Sequence, residues 1–414
     1  MNNRRGFLKG GSLALIALGM GGVPNFVKAA VAQQKTTSRK KVLVCIFQRG
    51  AMDGLMAVSP YTDPYLKKSR PGIFMEPGVG KSLIDLNGKF GLHPSFKSFE
   101  NLYKSSKLAI IHGMGSPNKT RSHFDAQDYM ESGTPFKKGT DSGWLNRALV
   151  QKKQSDSVFQ GVSLTSSLPR SFYGEYPCLA VSNFNDFRIS TKAGKALNVS
   201  AATSFEELYD ITANELQKQT SRESFEAKRM VEKLNFKNYN PANGAVYPGS
   251  PLGNSLKQIA QLIKSDVGLE IAFAESTGWD THFNQGTEAG IFARNADDLS
   301  RSVTAMWHDI ANFQDDVVIM TMTEFGRTVK QNGTNGTDHG RASCSFIIGN
   351  DVSGGKVYEK MKDLSIENLE DGRDLPVTID FREVFNEVAF KHLKVTDTSK
   401  LFPEWGGKNL PFIV

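Results

Sequence analysis

Aspartate and histidine side chains stand close together at two places in the second half of the sequence. Asp280 and His282 are two residues apart, and Asp338 is followed directly by His339. In an extended segment, residues two apart project to the same side of the chain, so Asp280 and His282 would share one ligand face. Carboxylate and imidazole groups together suit zinc or manganese better than calcium. The two pairs therefore indicate a divalent-metal site, although an isolated pair of this kind would also serve as a hydrogen-bonded surface pair.

A third segment, from Arg121 to Asp125, offers a nucleophile. Ser122 begins the pattern Ser-x-x-Asp, which is typical of a residue that caps the start of a helix. A hydroxyl at a helix N-terminus could also attack a phosphorus or sulfur centre while backbone N–H groups hold its oxygens. Both interpretations stay open. Arg121, His123 and Arg327 join Ser122 as candidate catalytic residues. Three arginines could clamp an oxyanion or serve as partners of structural carboxylates, namely Arg121, Arg327 and Arg341.

Short runs rich in valine and isoleucine lie ahead of these segments and predict strands that are buried on both faces. The runs are Val42 to Phe47, Leu108 to His112, Leu269 to Ala274, Val317 to Thr323 and Cys344 to Ile348. In open α/β sheets the carboxyl ends of the strands carry the functional site. Charged residues from four such ends should therefore meet in one crevice. The metal ligands that this arrangement predicts are Asp53, Asp280, His282, Glu324, Asp338 and His339.

Helical patterns alternate with these strands. They span Ser95 to Tyr103, Phe205 to Lys218, Ser221 to Leu234, Ser255 to Lys264 and Ala289 to Phe313. The alternation favours an α/β fold, a sheet flanked by helices. Single cores usually stop growing at about 250–300 residues, so we expect either one large domain over residues 42–414 with insertions or a core plus a cap. Residues 150–250 are the least regular and the richest in Ser, Asn, Tyr and Gly, which places an insertion there.

The first 32 residues resemble a twin-arginine export signal. Asn3 to Lys9 holds two arginines followed by Phe-Leu-Lys, and residues 10–23 form a charge-free stretch rich in Leu, Ala and Gly. That stretch falls short of the roughly 20 apolar residues a bilayer span needs, so it predicts a signal and not an anchor. Ala30 to Ala32 supplies a small-x-small cleavage pattern, and residues 33–41 would form a polar tether. We expect a periplasmic or otherwise exported protein that meets the membrane only at the twin-arginine (Tat) translocon.

Removal of the signal changes the charge balance. The whole chain has a net charge of +7, and four of those charges lie in the signal, on Arg4, Arg5, Lys9 and Lys28. The remaining +3 is an ordinary balance, and no long basic run with interleaved aromatic residues follows the tether. The sequence therefore gives little support to nucleic-acid binding.

The three cysteines stand singly in apolar runs. Cys45, Cys178 and Cys344 form no C-x-x-C pattern that would indicate zinc or redox chemistry. We expect buried thiols. A bridge between Cys178 and Cys344 stays open, because an exported protein meets an oxidising compartment.

Six longer motifs together resemble the signatures of the DUF1501 family. They are Leu92-His93-Pro94, the stretch Arg121 to Asp128, the stretch Ser142 to Arg147, the stretch Gly278 to His282, the stretch Thr323 to Thr328 and the stretch Gly336 to Gly340. They run in order from about Lys41 to Phe412, nearly the whole mature chain. That family is a largely uncharacterised set of exported bacterial proteins grouped with the alkaline phosphatase and sulfatase superfamily.

The resemblance implies an alkaline phosphatase-like three-layer sandwich. Its sheet would be mixed and mostly parallel, with helices on both faces, insertions, and a metal site at the strand ends. By position, Asp53 resembles the first metal-binding aspartate and Ser122 the nucleophile region. Asp280, His282, Asp338 and His339 resemble the later metal ligands. The chain departs from the superfamily pattern at Glu324-Phe325, where Asp-His is frequent, and in the single residue between Asp280 and His282.

Two hypotheses on function follow. The first is a metal-dependent hydrolase of phosphate or sulfate esters, with a small-molecule or polymer ester as its substrate and zinc or manganese as its metal. In it, Ser122 or a metal-activated water would attack, and arginines would stabilise the charge. The second is a non-catalytic exported scaffold or binding protein that retains the fold. No protein partner is indicated.

Overall fold

The computed structural model of the protein describes residues 15–17, 39–78, 83–152, 157–186, 234 and 236–414. The predicted helix at 205–218 lies outside the described residues, as does all of the one at 221–234 except its last residue. The predicted export signal and tether lie outside them as well, apart from residues 15–17, which form a strand, and residues 39–41.

One sheet of ten strands forms the centre of the described chain. Across the sheet the order is Leu15–Ala17, Cys178–Ala180, Gly161–Ser163, Ile271–Ser276, Val42–Gln48, Val317–Met322, Ser343–Ile348, Leu108–Gly115 and Lys356–Tyr358, and Ile379–Asp380 pairs with the end of Leu108–Gly115. All run parallel except Leu15–Ala17 and Ser343–Ile348. The five strands predicted from the sequence are present, and the sheet is mixed and mostly parallel.

The strand Val42–Gln48 shows why both faces of this sheet are covered. Val44 and Ile46 pack in one apolar core, whereas Leu43 and Cys45 pack in a second one. Successive side chains of a strand point to opposite faces, so a continuous apolar run needs partners above and below the sheet. The two cores therefore lie on the two faces.

Helices supply those partners. The first core contains side chains from Pro251–Lys264 and Ile291–Asp309, and the second contains side chains from His123–Ser132, Trp144–Val150 and Phe381–Glu387. Shorter α-helices span Gly54–Ala57, Pro64–Ser69, Glu100–Lys104 and Thr398–Leu401. There are 3₁₀ turns at Pro94–Phe99, Arg170–Phe172, Phe184–Asp186, Phe236–Asn238, Ala311–Asp316 and Ile366–Asn368, and a π-helical turn at Val388–His392. Within the described ranges, no helix is long and apolar enough to cross a membrane. The layers confirm the predicted α/β fold class.

Two small sheets complete the described structure. One joins Val58–Ser59, Gly91–Leu92 and Ile84–Asp85, and the other is a hairpin of Arg327–Gln331 with Thr337–His339. The hairpin precedes the antiparallel strand Ser343–Ile348. Because that strand runs against its neighbours, its first residues lie where the parallel strands end. The hairpin therefore lies at the carboxyl edge of the sheet.

The cysteines are free and buried, as expected for structural thiols. Cys178 and Cys344 lie on strands that are five positions apart in the sheet. At about 4.8 Å between neighbouring strands, their backbones are roughly 24 Å apart, far beyond the reach of a disulfide. The open question of a bridge between these two residues is thereby answered against it.

Candidate metal centre

Four chain segments bring imidazole and carboxylate groups to the carboxyl edge of the sheet. His123 is the first residue of the helix His123–Ser132, Asp280 and His282 follow the strand Ile271–Ser276, Glu324 follows Val317–Met322, and His339 ends Thr337–His339. The strands are rigid because both their faces are packed, so they hold these loop residues in place. The structure thus brings residues that follow different strands together at one edge of the sheet, as the sequence predicts.

The Nε2 atoms of three histidines converge there. The Nε2 of His339 lies 3.0 Å from that of His123 and 2.8 Å from that of His282. The Oδ1 of Asp280 lies 3.1 Å from the Nε2 of His282 and 3.3 Å from that of His339. Its Oδ2 lies 3.4 Å from the Nε2 of His123. Ligand atoms of His123, Asp280 and His339 all lie within 4.8 Å of one another.

The other nitrogen of each ring, Nδ1, faces a hydrogen-bond acceptor. The Nδ1 of His123 is 2.8 Å from Oε1 of Glu324, and that of His282 is 3.0 Å from Oδ1 of Asp338. The Nδ1 of His339 is 2.8 Å from the carbonyl oxygen of residue 121. A carbonyl or an ionised carboxylate only accepts, so each ring carries its proton on Nδ1. Each Nε2 is then left with a lone pair that points into the cluster.

Lone pairs that face one another at this distance repel each other, and the negative charge of the Asp280 carboxylate repels them as well. A proton or a cation between them removes the repulsion. Metal-binding histidines typically have this arrangement, with Nδ1–H donated to a carboxylate or a backbone carbonyl. The donor set therefore has the chemistry of a metal site.

The spacing of the donors also fits a divalent ion. Zinc binds nitrogen at about 2.0–2.1 Å with tetrahedral geometry, which separates neighbouring ligand atoms by roughly 3.3 Å. The Nε2 of His339 lies 2.8 to 3.0 Å from those of the other two rings, and the Asp280 oxygens lie 3.1 to 3.4 Å from the three Nε2 atoms. Three imidazoles and one carboxylate suit zinc, and manganese is compatible with the same groups. His123, Asp280, His282 and His339 are thus the residues that could hold the ion.

One side of the cluster is buried and the other meets solvent. The side chains of Glu324 and Arg327 are fully buried, whereas 43% of the Asp280 side chain is exposed. Arg327 donates to Oδ1 of Asp280 at 2.6 Å. Burial alone would raise the pKa of Asp280, but the hydrogen bond and charge of Arg327 outweigh it and lower that pKa. Asp280 is therefore an anion that a solvent-borne ligand can reach.

The surroundings shift the pKa values of two of the rings and of both carboxylates that orient a ring. The hydrogen bond to Glu324 raises the pKa of His123, whereas burial and the nearby charge of His123 lower the pKa of His339. Burial opposes ionisation of Glu324, yet the hydrogen bonds from His123 and Gln127 lower its pKa. A hydrogen bond from Asn332 is the main cause that lowers the pKa of Asp338. Both carboxylates that orient a ring are thus anions.

A glycine lets the strand ends approach this closely. Gly50 has a φ of 111°, and its N–H donates to Oε1 of Glu324 at 2.9 Å. A Cβ at this position would lie 2.5 Å from the backbone nitrogen of Asp280. Any other residue here would push the segment with Asp280 away from Glu324.

The sequence profile of the family described as "Protein of unknown function (DUF1501)" matches residues 40–404. The chain belongs to the DUF1501 family. A comparison with curated proteins finds no match.

Solved structures similar to this DUF1501 chain share little sequence with it. One is the alkaline phosphatase from the Antarctic bacterium TAB5, with 12% identity and a TM-score of 0.34, over 78% of this chain and 95% of that one. A second is the C-terminal periplasmic domain of EcEptC from Escherichia coli in complex with Zn, with 10% identity and a TM-score of 0.33, over 76% and 74%. A third is the lipoteichoic acid synthase LtaP from Listeria monocytogenes, with 8% identity and a TM-score of 0.31, over 78% and 67%.

Two of the three arginines predicted as oxyanion clamps are engaged close to the cluster with carboxylates of the DUF1501 chain itself. Arg121 donates to Asp374 at 2.9 Å and to Asp371 at 2.9 Å. Arg327 is buried against Asp280. Both side chains therefore have the structural partners that the sequence left open as the alternative to a clamp.

Ser122 is the N-cap of the helix His123–Ser132, as the sequence predicts, but its side chain does not bond to that helix. The capping box expected with Asp125 is thus not formed. The hydroxyl is exposed and stands one residue before His123. Its role as a nucleophile stays a prediction.

Asp53 lies apart from the converging side chains. Its carboxylate is bound by Arg70 at 2.8 Å and 3.1 Å and by Nε2 of Gln285 at 2.8 Å, and all three residues are buried. A guanidinium that holds both oxygens leaves the carboxylate committed to an ion pair. The predicted ligand set therefore divides: Asp280, His282 and His339 converge, Glu324 and Asp338 orient rings, and Asp53 belongs to a buried ion pair.

Two residues important to the site are not among the predicted ones. Gln127 donates to Oε1 of Glu324 at 2.9 Å from one helical turn beyond His123. Gln285 accepts from Thr281 at 2.7 Å and Thr337 at 2.8 Å. The spacing of four residues could have revealed Gln127, because such residues share a helix face. Gln285 has no such signal, since only the folded chain brings its partners together.

Proposed function

We propose that this DUF1501 protein is an exported, metal-dependent hydrolase of phosphate or sulfate esters. The observation that supports it best is the convergence of three Nε2 atoms and the Asp280 carboxylate at a solvent-accessible edge of the sheet. Carboxylates or a carbonyl already orient each of the three rings. Such preparation of the ligands is typical of a site built to bind a metal.

The chain's own residues would divide the work as follows. Glu324 keeps the proton of His123 on Nδ1, and Arg327 keeps Asp280 ionised, so that both present lone pairs to the same point. Ser122 is the candidate nucleophile, because its exposed hydroxyl is free of the helix it caps. A divalent ion held by these ligands would supply Lewis-acid polarisation of the ester.

Metal analysis and a substrate panel test the proposal. The purified protein should contain about one zinc or manganese ion per chain, and Asp280→Ala and His339→Ala should lose it. The panel would hold nitrophenyl phosphate, nitrophenyl phosphate diesters and nitrophenyl sulfate. Asp125→Asn, on the same helix as His123 but paired with Lys138, is the matched control and should keep both metal and activity. A stable wild-type protein that takes up no divalent ion would overturn the proposal.

A non-catalytic binding protein is the second candidate. The paired state of Arg121 and Arg327 favours it, because neither guanidinium is left to stabilise transition-state charge. Ester turnover by the metal-loaded wild-type protein separates the two candidates, and Ser122→Ala then tests the nucleophile. Ester turnover that the wild type shows and that falls at least tenfold in Ser122→Ala supports a serine nucleophile. Loading with metal but no turnover of any ester class supports the binding protein.

We further propose that the first 32 residues direct export by the twin-arginine route. That route moves folded proteins, which suits a protein whose folding is coupled to metal binding. Replacement of Arg4 and Arg5 by lysine should leave an uncleaved precursor in the cytoplasm. Normal export of that variant, or mature protein that does not begin near Gln33, would contradict this assignment.

A further inference from the structure

Two phenylalanines next to the histidine cluster are exposed to solvent. Phe124 is 86% exposed and follows His123, and Phe283 is 63% exposed and follows His282. Neighbouring Cα atoms in a chain are about 3.8 Å apart, so both residues start at the rim of the metal centre. Exposed aromatic side chains at a site commonly serve as contacts for a ligand.

A third exposed phenylalanine provides a control for exposure alone, without proximity to the histidine cluster. Phe390 is 44% exposed and lies two residues before His392, whose Nε2 lies 2.9 Å from the carbonyl oxygen of Val42. Val42 begins the strand Val42–Gln48, and the histidine cluster lies beyond the other end of that strand, roughly 20 Å away at about 3.3 Å per residue. Phe390 therefore offers a comparison residue of the same type that is exposed far from the cluster.

The cations around the centre carry paired charges. Arg121 is paired with Asp371 and Asp374, Arg327 with Asp280, Arg341 with Glu370 and Arg373 with Asp374. An ester with two negative charges would gain little from guanidinium groups already bound in this way. The charge pattern therefore favours a ligand with one negative charge over a ligand with two.

We propose that the substrate is a singly charged ester with an apolar organic group, and that Phe124 and Phe283 contact this group. This inference rests on the proposed hydrolase function for the orientation of the ester at the metal. The shared chemistry is a single negative charge beside an aryl or alkyl group, as in a sulfate monoester or a phosphate diester. A phosphate monoester, with two charges near neutral pH, fits this site less well.

Binding probes test the inference without turnover. Calorimetric titration of the zinc-loaded protein would compare benzenesulfonate with methanesulfonate, which share one charge and differ in the apolar group. Benzenesulfonate should bind at least tenfold more tightly. Loss of a phenyl contact of about 55 Å² weakens binding about tenfold, so Phe124→Ala and Phe283→Ala should each lower the affinity for benzenesulfonate by about that factor. Both variants should leave the zinc content and the affinity for methanesulfonate unchanged. The control variant Phe390→Ala should leave the zinc content and the affinities for both probes unchanged.

Kinetics supply the second arm. Bis(nitrophenyl) phosphate and methyl nitrophenyl phosphate have the same charge and leaving group, so the ratio of their kcat/KM values isolates the aryl contact. That ratio should fall about tenfold in Phe124→Ala and in Phe283→Ala. Nitrophenyl sulfate and the diesters should both be better substrates than nitrophenyl phosphate, and their ranking identifies which ester class the site takes.

The outcomes separate this inference from the proposed function. Equal kcat/KM values for the aryl and methyl esters, unchanged in Phe124→Ala and Phe283→Ala, would overturn the inference. The proposed hydrolase function would then still hold. Phe-dependent binding of benzenesulfonate without hydrolysis of any ester would overturn the hydrolase and support the apolar contact. A preference for nitrophenyl phosphate over both singly charged classes would overturn the argument from charge.

Discussion

Glu324 provides the sharpest test of how the centre is built. Its side chain is fully buried, and Oε1 accepts three hydrogen bonds, from Nδ1 of His123, from Nε2 of Gln127 and from the backbone N–H of Gly50. Oε2 accepts from Thr323 at 3.2 Å. Glu324→Gln keeps an oxygen for the three donors and turns its amide group toward the Thr323 hydroxyl. The substitution thus removes the charge with little change in shape.

The expected result is a loss of metal affinity without unfolding. Partners that orient a metal ligand are typically worth 10–100-fold in affinity. Because Glu324→Gln retains the acceptor for His123, we expect a loss near tenfold, or about 1.4 kcal/mol. Glu324→Ala should lose closer to 100-fold and should also destabilise the fold, since each buried donor left without a partner costs about 1–3 kcal/mol.

Two measurements check this reasoning. Competition with a chelating indicator gives the zinc affinity, with Asp125→Asn as the control that should match wild type. NMR titration of the metal-free protein gives the pKa of His123, which the Glu324 hydrogen bond raises and which should fall in Glu324→Gln. Wild-type zinc affinity in Glu324→Gln, together with an unchanged pKa of His123, would refute the assigned role of Glu324.

The remaining predictions concern stability and accessibility. Arg70→Met leaves the buried carboxylate of Asp53 without its charge partner, so the free energy of unfolding in urea should fall by about 3–5 kcal/mol, and a change below 1 kcal/mol would contradict the ion pair. Asp309 is held by Lys264 and by two tyrosine hydroxyls, and although burial opposes its ionisation, these partners lower its pKa. Its stabilisation should therefore be complete above the ordinary carboxyl pKa near 4 and be lost as pH falls below it. The free energy of unfolding in urea should accordingly differ less between pH 6 and pH 3 in Asp309→Asn than in wild type. An equal difference in the two proteins would contradict this role of Asp309. The three cysteines are buried, and burial raises the pKa of each thiol. A thiol reagent should thus label the native protein slowly and the urea-unfolded protein at three sites, and rapid native labelling would contradict their burial.

Prediction from the sequence succeeds best where local pattern is enough. Runs such as Val317 to Thr323 are apolar at every position, which only a strand covered on both faces can satisfy. Parallel strands end at one edge, so the residues that follow them are neighbours before any coordinate is known. The α/β class and the shared edge of Asp280, Glu324 and His339 follow from these local facts.

The hydrogen-bond and ion-pair partners of side chains are harder to predict, because they are distant in the chain. Asp53 follows a strand just as Asp280 does, yet Arg70 takes both of its oxygens in the buried interior. The sequence predicts a catalytic role for His123, whereas in the structure its Nε2 converges with that of His339, 216 residues further along the chain. The spacing of residues in the sequence indicates neither of these contacts.

The sequence by itself thus determined five of the central strands and the α/β class, that the strand ends share an edge, and that histidine and carboxylate groups gather there. The tertiary structure alone decided which carboxylates converge with the histidine Nε2 atoms and which bind the Nδ1 atoms of the rings or a buried arginine. The physical reason is that a buried carboxylate must be hydrogen-bonded or paired with a cation, and packing of distant segments sets those partners for Asp53 and Glu324. The exposure of Phe124 and Phe283 beside the centre is likewise a property of the folded chain, since apolar residues in the sequence predict burial.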